Sequence, residues 1–292
     1  MDNKEEKVEK MKNRDIDFAL VASSKDPASQ NILENILDLE SFEDTDISFS
    51  RGQIKIAKKI KAYLVLIDED LIVAEFLENL PINARRLIFL SKHASVSKTP
   101  SLLVHFPGNW TMDNTMGGKP RSFSMADPAL HRTLVMELSK KKADGTVPER
   151  YLVGIEVTHH GPTINKACTF IEIGSSIDEW KDKTAGHIIA ETVLDAISLA
   201  NKMSGLKSWL GFGGPHYAPK FYETLREQNI LLSHIAPKYV VDEIDEEVIR
   251  RAYEKSIIKP AGALIDWKGL KSKQRSKIIG ILENIGLDYV RI

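Results

Sequence analysis

The order of segments predicts an α/β protein, a sandwich of helices around a mixed or parallel sheet. Three observations predict it. Short apolar runs bounded by turn residues alternate with stretches of helical periodicity. Two helix starts carry the same pair, Asp26-Pro27 and Asp127-Pro128, a capping carboxylate followed by the residue that tolerates a first turn. The 292 residues, 42% hydrophobic and 28% charged, are enough to bury a sizeable core.

The strands are predicted in order at 15–24, 62–68, 85–93, 101–106, 151–160, 167–176, 208–217 and 230–236. A basic stretch before residue 62 reads as helix-like. After Asp26, the apolar residues of "PASQNILENILDL" recur at helical spacing, and "PALHRTLVMELSKKK" follows Asp127 in the same way. In "DKTAGHIIAETVLDAISLA", Ile188, Ile189, Val193, Ile197 and Ala200 share one face. Further helices are expected at "APKFYETLREQN", near 243–256 and near 270–285. The stretch 107–124 has little periodicity, and irregular segments of that length in compact domains are often functional. Residues 1–13 are charged and predict a frayed tail, with 14–292 a single domain.

Composition narrows the function classes. The single Cys168 excludes an internal disulfide framework and a Cys-rich zinc site, and its apolar surroundings suit an inert thiol. No apolar run reaches ~18 residues and no secretory h-region opens the chain, so a cytoplasmic, non-membrane protein is expected. The net charge of −1 advertises no nucleic-acid partner. Basic stretches at 55–61, 85–98, 119–142 and 268–277 leave room for a local basic face, or are solvated helix faces.

The chemistry-bearing residues gather at predicted strand ends. Glu156 and Glu172 each sit inside an apolar strand, where an unpaired carboxylate is costly and calls for a cation, a histidine or backbone donors. Either glutamate alone fits a partly wet strand face equally well. His93, His105, His159, His160 and His216 lie at or near strand ends. Singly they read as structural histidines; on one edge they would suit acid–base work or metal binding. With neither HExxH nor CxxC present, a zinc site would have to draw nitrogen and oxygen ligands from separate strands. Gly211, Gly213 and Gly214 in "GFGGPHYAPKF" form a tight turn, which either just precedes a helix or offers N–H groups to an oxyanion. In the loop "GGKPRSFS", Lys119 and Arg121 are candidates for phosphate contacts, with Trp110 and Phe123 as candidates to stack a base. The serines form no GxSxG elbow.

Five segments in this order, "SKHASVSKTPSLLVHFPGNW", "GGKPRSFSMADPAL", "LVGIEVTHHGPT", "FIEIGSSIDEW" and "GFGGPHYAPKF", resemble the archaeal and plant type of D-aminoacyl-tRNA deacylase. The resemblance runs from about residue 85 to 222. It implies a three-layer α/β/α sandwich with a mixed sheet, phosphorylase/hydrolase-like and similar to the peptidyl-tRNA hydrolase core. It implies a cytoplasmic, zinc-dependent hydrolase, with two ions per subunit inferred. The enzyme would cleave the ester of D-aminoacyl-tRNA at the acceptor end, with glycyl-tRNA a further substrate. A monomer is expected. On this reading His93, His159, His160 and His216 are ligands or bases, and Glu156 and Glu172 are ligand or general base. Gly213 and Gly214 would receive the oxyanion, and Lys119 and Arg121 the acceptor end. The competing readings are a zinc aminopeptidase or nucleoside phosphorylase on a similar fold, and a tRNA-binding protein without catalysis.

Overall fold

The computed structural model describes residues 16–199 and 205–292, and the expected tail at 1–13 lies outside them. Fourteen strands occur among the described residues. In chain order they are β1 (Phe18–Ser23), β2 (Phe42–Asp44), β3 (Gly52–Ala57), β4 (Ala62–Ile67), β5 (Arg86–Ala94), β6 (Ser101–His105) and β7 (Gly108–Asn109). Then come β8 (Ser122–Phe123), β9 (Leu152–Ile155), β10 (Ala167–Ser175), β11 (Lys207–Phe212), β12 (Ile230–Ala236), β13 (Pro260–Ile265) and β14 (Asp288–Arg291). The helices are α1 (Pro27–Leu39), α2 (Pro128–Ala143), α3 (Ile177–Trp180), α4 (Lys183–Leu199), α5 (Pro219–Glu227), α6 (Glu246–Glu254) and α7 (Ser272–Asn284).

Eight strands form a mixed sheet in the order β2-β3-β4-β1-β5-β10-β6-β9. Strands β4, β1, β5 and β10 run parallel, whereas β6 is antiparallel to β10 and carries β9 parallel to itself. The mixed α/β class is the one the sequence predicts. One sheet face packs against α1, α2 and α4 through residues such as Leu20, Ile88, Leu90 and Ile171. The alternate residues, Val21, Phe89 and Phe170 among them, face 3-10 turns at 71–79 and neighbouring loops. Both Asp-Pro starts behave as read: Asp26 accepts from the N–H groups of Ala28 and Ser29, and Asp127 from those of Ala129 and Leu130.

Two features depart from the sequence expectation. Residues 52–57, part of the stretch read as helix-like, form a strand, because Ile54 and Ile56 alternate with polar neighbours and bury on one face. A second sheet, β12-β11-β13-β14, is parallel throughout and supports α6 and α7. Its strands β13 and β14 escape notice because "PAGALI" and "DYVR" are short and carry little alternation. Residues from both sheets, including Leu102 and Val104 of the first and Leu232 and Leu264 of the second, belong to one continuous core.

Candidate metal centre and active site

The catalytic candidates meet on a sheet face, not along one sheet edge. Because β6 and β9 run against β10, the carboxyl ends of the four strands lie at opposite edges. Register restores the meeting: His93 pairs with Gly174, Glu172 with Leu103, and His105 with Phe170. In consequence His93, Glu172 and His105 project from the same face over three strands. Glu156 follows the end of β9, where its N–H still donates to Val104 O at 3.1 Å.

The chain then leaves the sheet as Val157–Gly161, and four backbone bonds fix that exit. Val157 N–H donates to His216 O, Thr158 N–H to Ile235 O, Gly161 N–H to Met116 O, and Gly108 N–H to His160 O at 2.7 Å. His160 sits at φ 45°, a left-handed conformation that non-glycine residues adopt under constraint, often at functional sites. Gly161 has to be glycine, since a Cβ there would lie 2.3 Å from both Gly118 N and Ile72 O. A histidine pair closing an apolar strand is thereby turned into one cleft.

The five imidazoles fall into two groups by their hydrogen-bond partners. His105 Nδ1 donates to Phe106 O at 3.3 Å, His159 Nδ1 to Val157 O at 2.9 Å, and His160 Nδ1 to Gly161 O at 2.6 Å. A carbonyl can only accept, so these three rings carry the proton on Nδ1 and present a bare Nε2. Their ligand atoms lie within 4.8 Å of one another. His93 Nε2 and His216 Nδ1 instead meet the hydroxyls of Tyr217 and Tyr239, each at 3.1 Å. The inner nitrogens of this pair, His93 Nδ1 and His216 Nε2, stand 3.1 and 2.7 Å from Glu156 Oε1.

Those two contacts are short without the direction of hydrogen bonds. Both oxygens of the fully buried Glu156 carboxylate therefore have no donor, and neither does His105 Nε2. Glu172 lies beside them, 3.6 Å from His105 Nε2 and 3.7 Å from His93 Nδ1. Burial, and then the neighbouring Glu172, push the Glu156 carboxyl well above the ordinary range; Glu172 is raised by burial too. Burial lowers all five histidines, His105 and His160 to about 3, so the imidazoles stay neutral. Neutral imidazoles and orphaned carboxylate oxygens around one space are a donor set suited to a cation with nitrogen and oxygen preference, zinc above all. The residues present fit the metal that the sequence resemblance implies.

The centre opens into a cleft of about 420 Å³, lined by Asp26, Asp70, Lys92, Met116, Glu172 and the histidines 93, 159, 160 and 216. A second lobe of about 170 Å³ lies against the same His159 and His160, bounded by Trp110, Thr111, Met116, Tyr239 and Val240.

Of the sequence candidates, His93, Glu156, His159, His160, Glu172 and His216 are brought together. His105 joins them; it is one of the five strand-end histidines but not of the narrower ligand-or-base set, and Tyr217 and Tyr239 join from outside the candidates altogether. A histidine one residue short of the end of the apolar run "SLLVHF" was the available signal for the first. Other candidates need correction. Gly213 N–H donates to Ala236 O at 2.8 Å and is no oxyanion donor, and both Gly213 and Gly214 pack against the loop at Asp266. Trp110 and Phe123 are buried against each other with ring centroids 4.7 Å apart, and the Trp110 indole donates to Ile235 O, so neither ring face is open to a base. Arg121 is paired with Asp245 at 2.5 Å, while Lys119 remains exposed on the loop.

A family model described as D-aminoacyl-tRNA deacylase matches residues 80–290, which reaches past the segments of the sequence resemblance into the second sheet. The D-aminoacyl-tRNA deacylase of Methanocaldococcus jannaschii is 38% identical, over 94% of this chain and 99% of the relative. That of Methanosarcina barkeri is 36% identical, over 94% and 89%. A crystal structure of a conserved protein of unknown function superposes with a TM-score of 0.86 at 28% identity, covering 95% of both chains. The chain belongs to the D-aminoacyl-tRNA deacylase family.

Proposed function

From that membership we propose that the chain is an enzyme that hydrolyses the ester joining a D-amino acid to the terminal ribose of tRNA, and that zinc assists it. The observation that carries the zinc reading is the set of three imidazoles whose Nδ1 protons are engaged by backbone carbonyls. His105, His159 and His160 would hold the ion through Nε2 and leave an open position, as catalytic sites with three protein ligands do. When bound, zinc supplies a Lewis acid and lowers the pKa of water to about 7.

The remaining chemistry belongs to the chain. Water attacks the ester carbonyl carbon, and Glu156 receives its proton. The carbon–oxygen bond to ribose then breaks, and the proton held by Glu156 passes through the half-exposed His216, whose Nε2 stands 2.7 Å from Glu156 Oε1, to the departing oxygen, so that both groups return to their starting states. The larger lobe takes the aminoacyl group. Asp70, exposed and in no ion pair among the described residues, faces that lobe and holds the α-ammonium. With ammonium and carbonyl fixed, the side chain of an L residue is directed into the wall of the cleft.

Purified protein incubated with D-tyrosyl-tRNA and L-tyrosyl-tRNA, before and after chelation, tests this reading. Cleavage of the D ester alone is expected, lost on chelation and restored by zinc. Cleavage that survives verified removal of metal would eliminate the zinc role. Cleavage of neither ester by zinc-loaded protein would eliminate the hydrolase.

A further inference from the structure

Resting on the deacylase reading, the location of the RNA follows from which cations and ring faces are left unengaged beside the cleft. Most basic stretches neutralise themselves. Lys55 pairs with Asp44, Lys58 with Glu43, Arg85 and Arg86 with Asp17, and Lys141 with Glu191. The stretch 268–277 differs, with five cations and no carboxylate. Arg275 and Lys277 are turned inward onto backbone carbonyls. Lys268, Lys271 and Lys273 are exposed and pair with no carboxylate among the described residues, and the same holds for Lys238.

These lysines are tied to the active site by backbone. Lys238 N–H donates to Gly214 O at 3.0 Å, two residues before His216. Gln274, in the first turn of α7, donates from its side chain to Lys238 O at 3.1 Å. Next in sequence to Lys238 is Tyr239, 56% exposed, whose ring makes no aromatic or cation contact among the described residues. Its hydroxyl meets His216 Nδ1, which fixes the ring relative to the reacting centre, and the ring bounds the smaller lobe at His159 and His160. An unpaired RNA end needs a stacking face and a track of cations for its phosphates. Both occur here, in contact with the loop that carries His216.

We infer that the 3′ end of the tRNA lies along this edge of the second sheet, its terminal base stacked on Tyr239 and its phosphates crossing Lys238 toward Lys271 and Lys273. Arg121 is already paired with Asp245, and neither it nor the exposed Lys119 is needed for this track. Tyr239 has two separable tasks, a ring for the base and a hydroxyl for His216.

The test compares D-tyrosyl-tRNA with the D-tyrosyl ester of adenosine on the zinc-loaded enzyme. Lys238→Glu combined with Lys271→Glu and Lys273→Glu should raise KM for the tRNA by about tenfold or more and flatten its salt dependence, with kcat and the adenosine ester unaffected. Tyr239→Ala should raise KM for both substrates by roughly tenfold, as loss of one base–aromatic stack would. Tyr239→Phe should restore KM and lower only kcat. An unchanged tRNA KM and salt slope in the lysine variant would overturn the track, and an unchanged adenosine-ester KM in Tyr239→Ala would overturn the stacking face. Should the wild-type protein cleave neither ester, the hydrolase reading falls on its own. Binding of uncharged tRNA then decides the surface: weakened in the lysine variant it stands, unchanged it is overturned.

Discussion

Three histidines of the site are held by backbone carbonyls and two by tyrosine hydroxyls, and the two groups behave differently for that reason. A carbonyl only accepts, so His105, His159 and His160 have one tautomer and a permanently available Nε2 lone pair. A hydroxyl both donates and accepts, so His93 and His216 switch tautomer without losing their outer bond to Tyr217 or Tyr239. Fixed rings suit ligation, whereas adjustable rings beside an orphaned carboxylate suit proton movement. The difference is made by second partners, which sequence spacing does not display.

Substitutions in the two groups separate these roles, with the largest effects first. His159→Ala should abolish zinc retention after dialysis and bring D-tyrosyl-tRNA hydrolysis to background. Glu156→Gln should lower kcat by about 10³-fold with zinc content intact, because it removes the proton acceptor alone. Metal analysis beside kcat reads both variants. Equal zinc loss in the two would mean that Glu156 is itself a principal ligand and that the two groups form one metal cage.

A smaller effect sharpens the contrast within the adjustable pair. Tyr217→Phe takes the hydroxyl from His93 Nε2 and leaves the packing of the ring in place. Loss of such an outer partner typically costs 10- to 100-fold, and about tenfold in kcat with KM unchanged is expected here. A wild-type kcat would show that His93 is held by its neighbours without Tyr217.

Much of this was legible in the chain. Asp26 and Asp127 announced their helices because a cap is a local event, readable over four residues. Glu156 and Glu172 stood out because a carboxylate in an apolar strand violates the pattern around it. What stayed hidden depends on distant segments. The reversal of β6 set His105 on the site face, and the burial of Trp110 and Phe123 under α6 and the second sheet closed the two rings that looked free. Gly213 seemed a donor until its N–H met Ala236, a residue 23 positions away in sequence. The sequence resemblance located the functional segments but not which strand faces which.

A sixth histidine completes the comparison, since both of its nitrogens are engaged. His234 is buried, with Nδ1 3.2 Å from Thr158 Oγ1 and Nε2 3.0 Å from Lys255 O, and Thr158 Oγ1 in turn accepts from Ile235 N–H. The Lys255 carbonyl fixes the proton on Nε2, so the Thr158 hydroxyl donates to Nδ1 and braces the turn that leads to His159. This ring is structural, and burial lowers it to about 4. A pKa depressed below the unfolded value near 6.5 means that the unfolded chain takes up the proton first. The stabilisation is therefore complete above about pH 6.5 and is lost as the pH falls toward 4, by up to ~3 kcal/mol at the acid end. Between pH 7 and pH 5, urea unfolding of chelated wild-type protein should show a loss that His234→Gln reduces by about 2 kcal/mol. The other buried histidines contribute the remainder in both proteins. Identical losses would mean that His234 protonates in the folded state, and Thr158 would then be held without it.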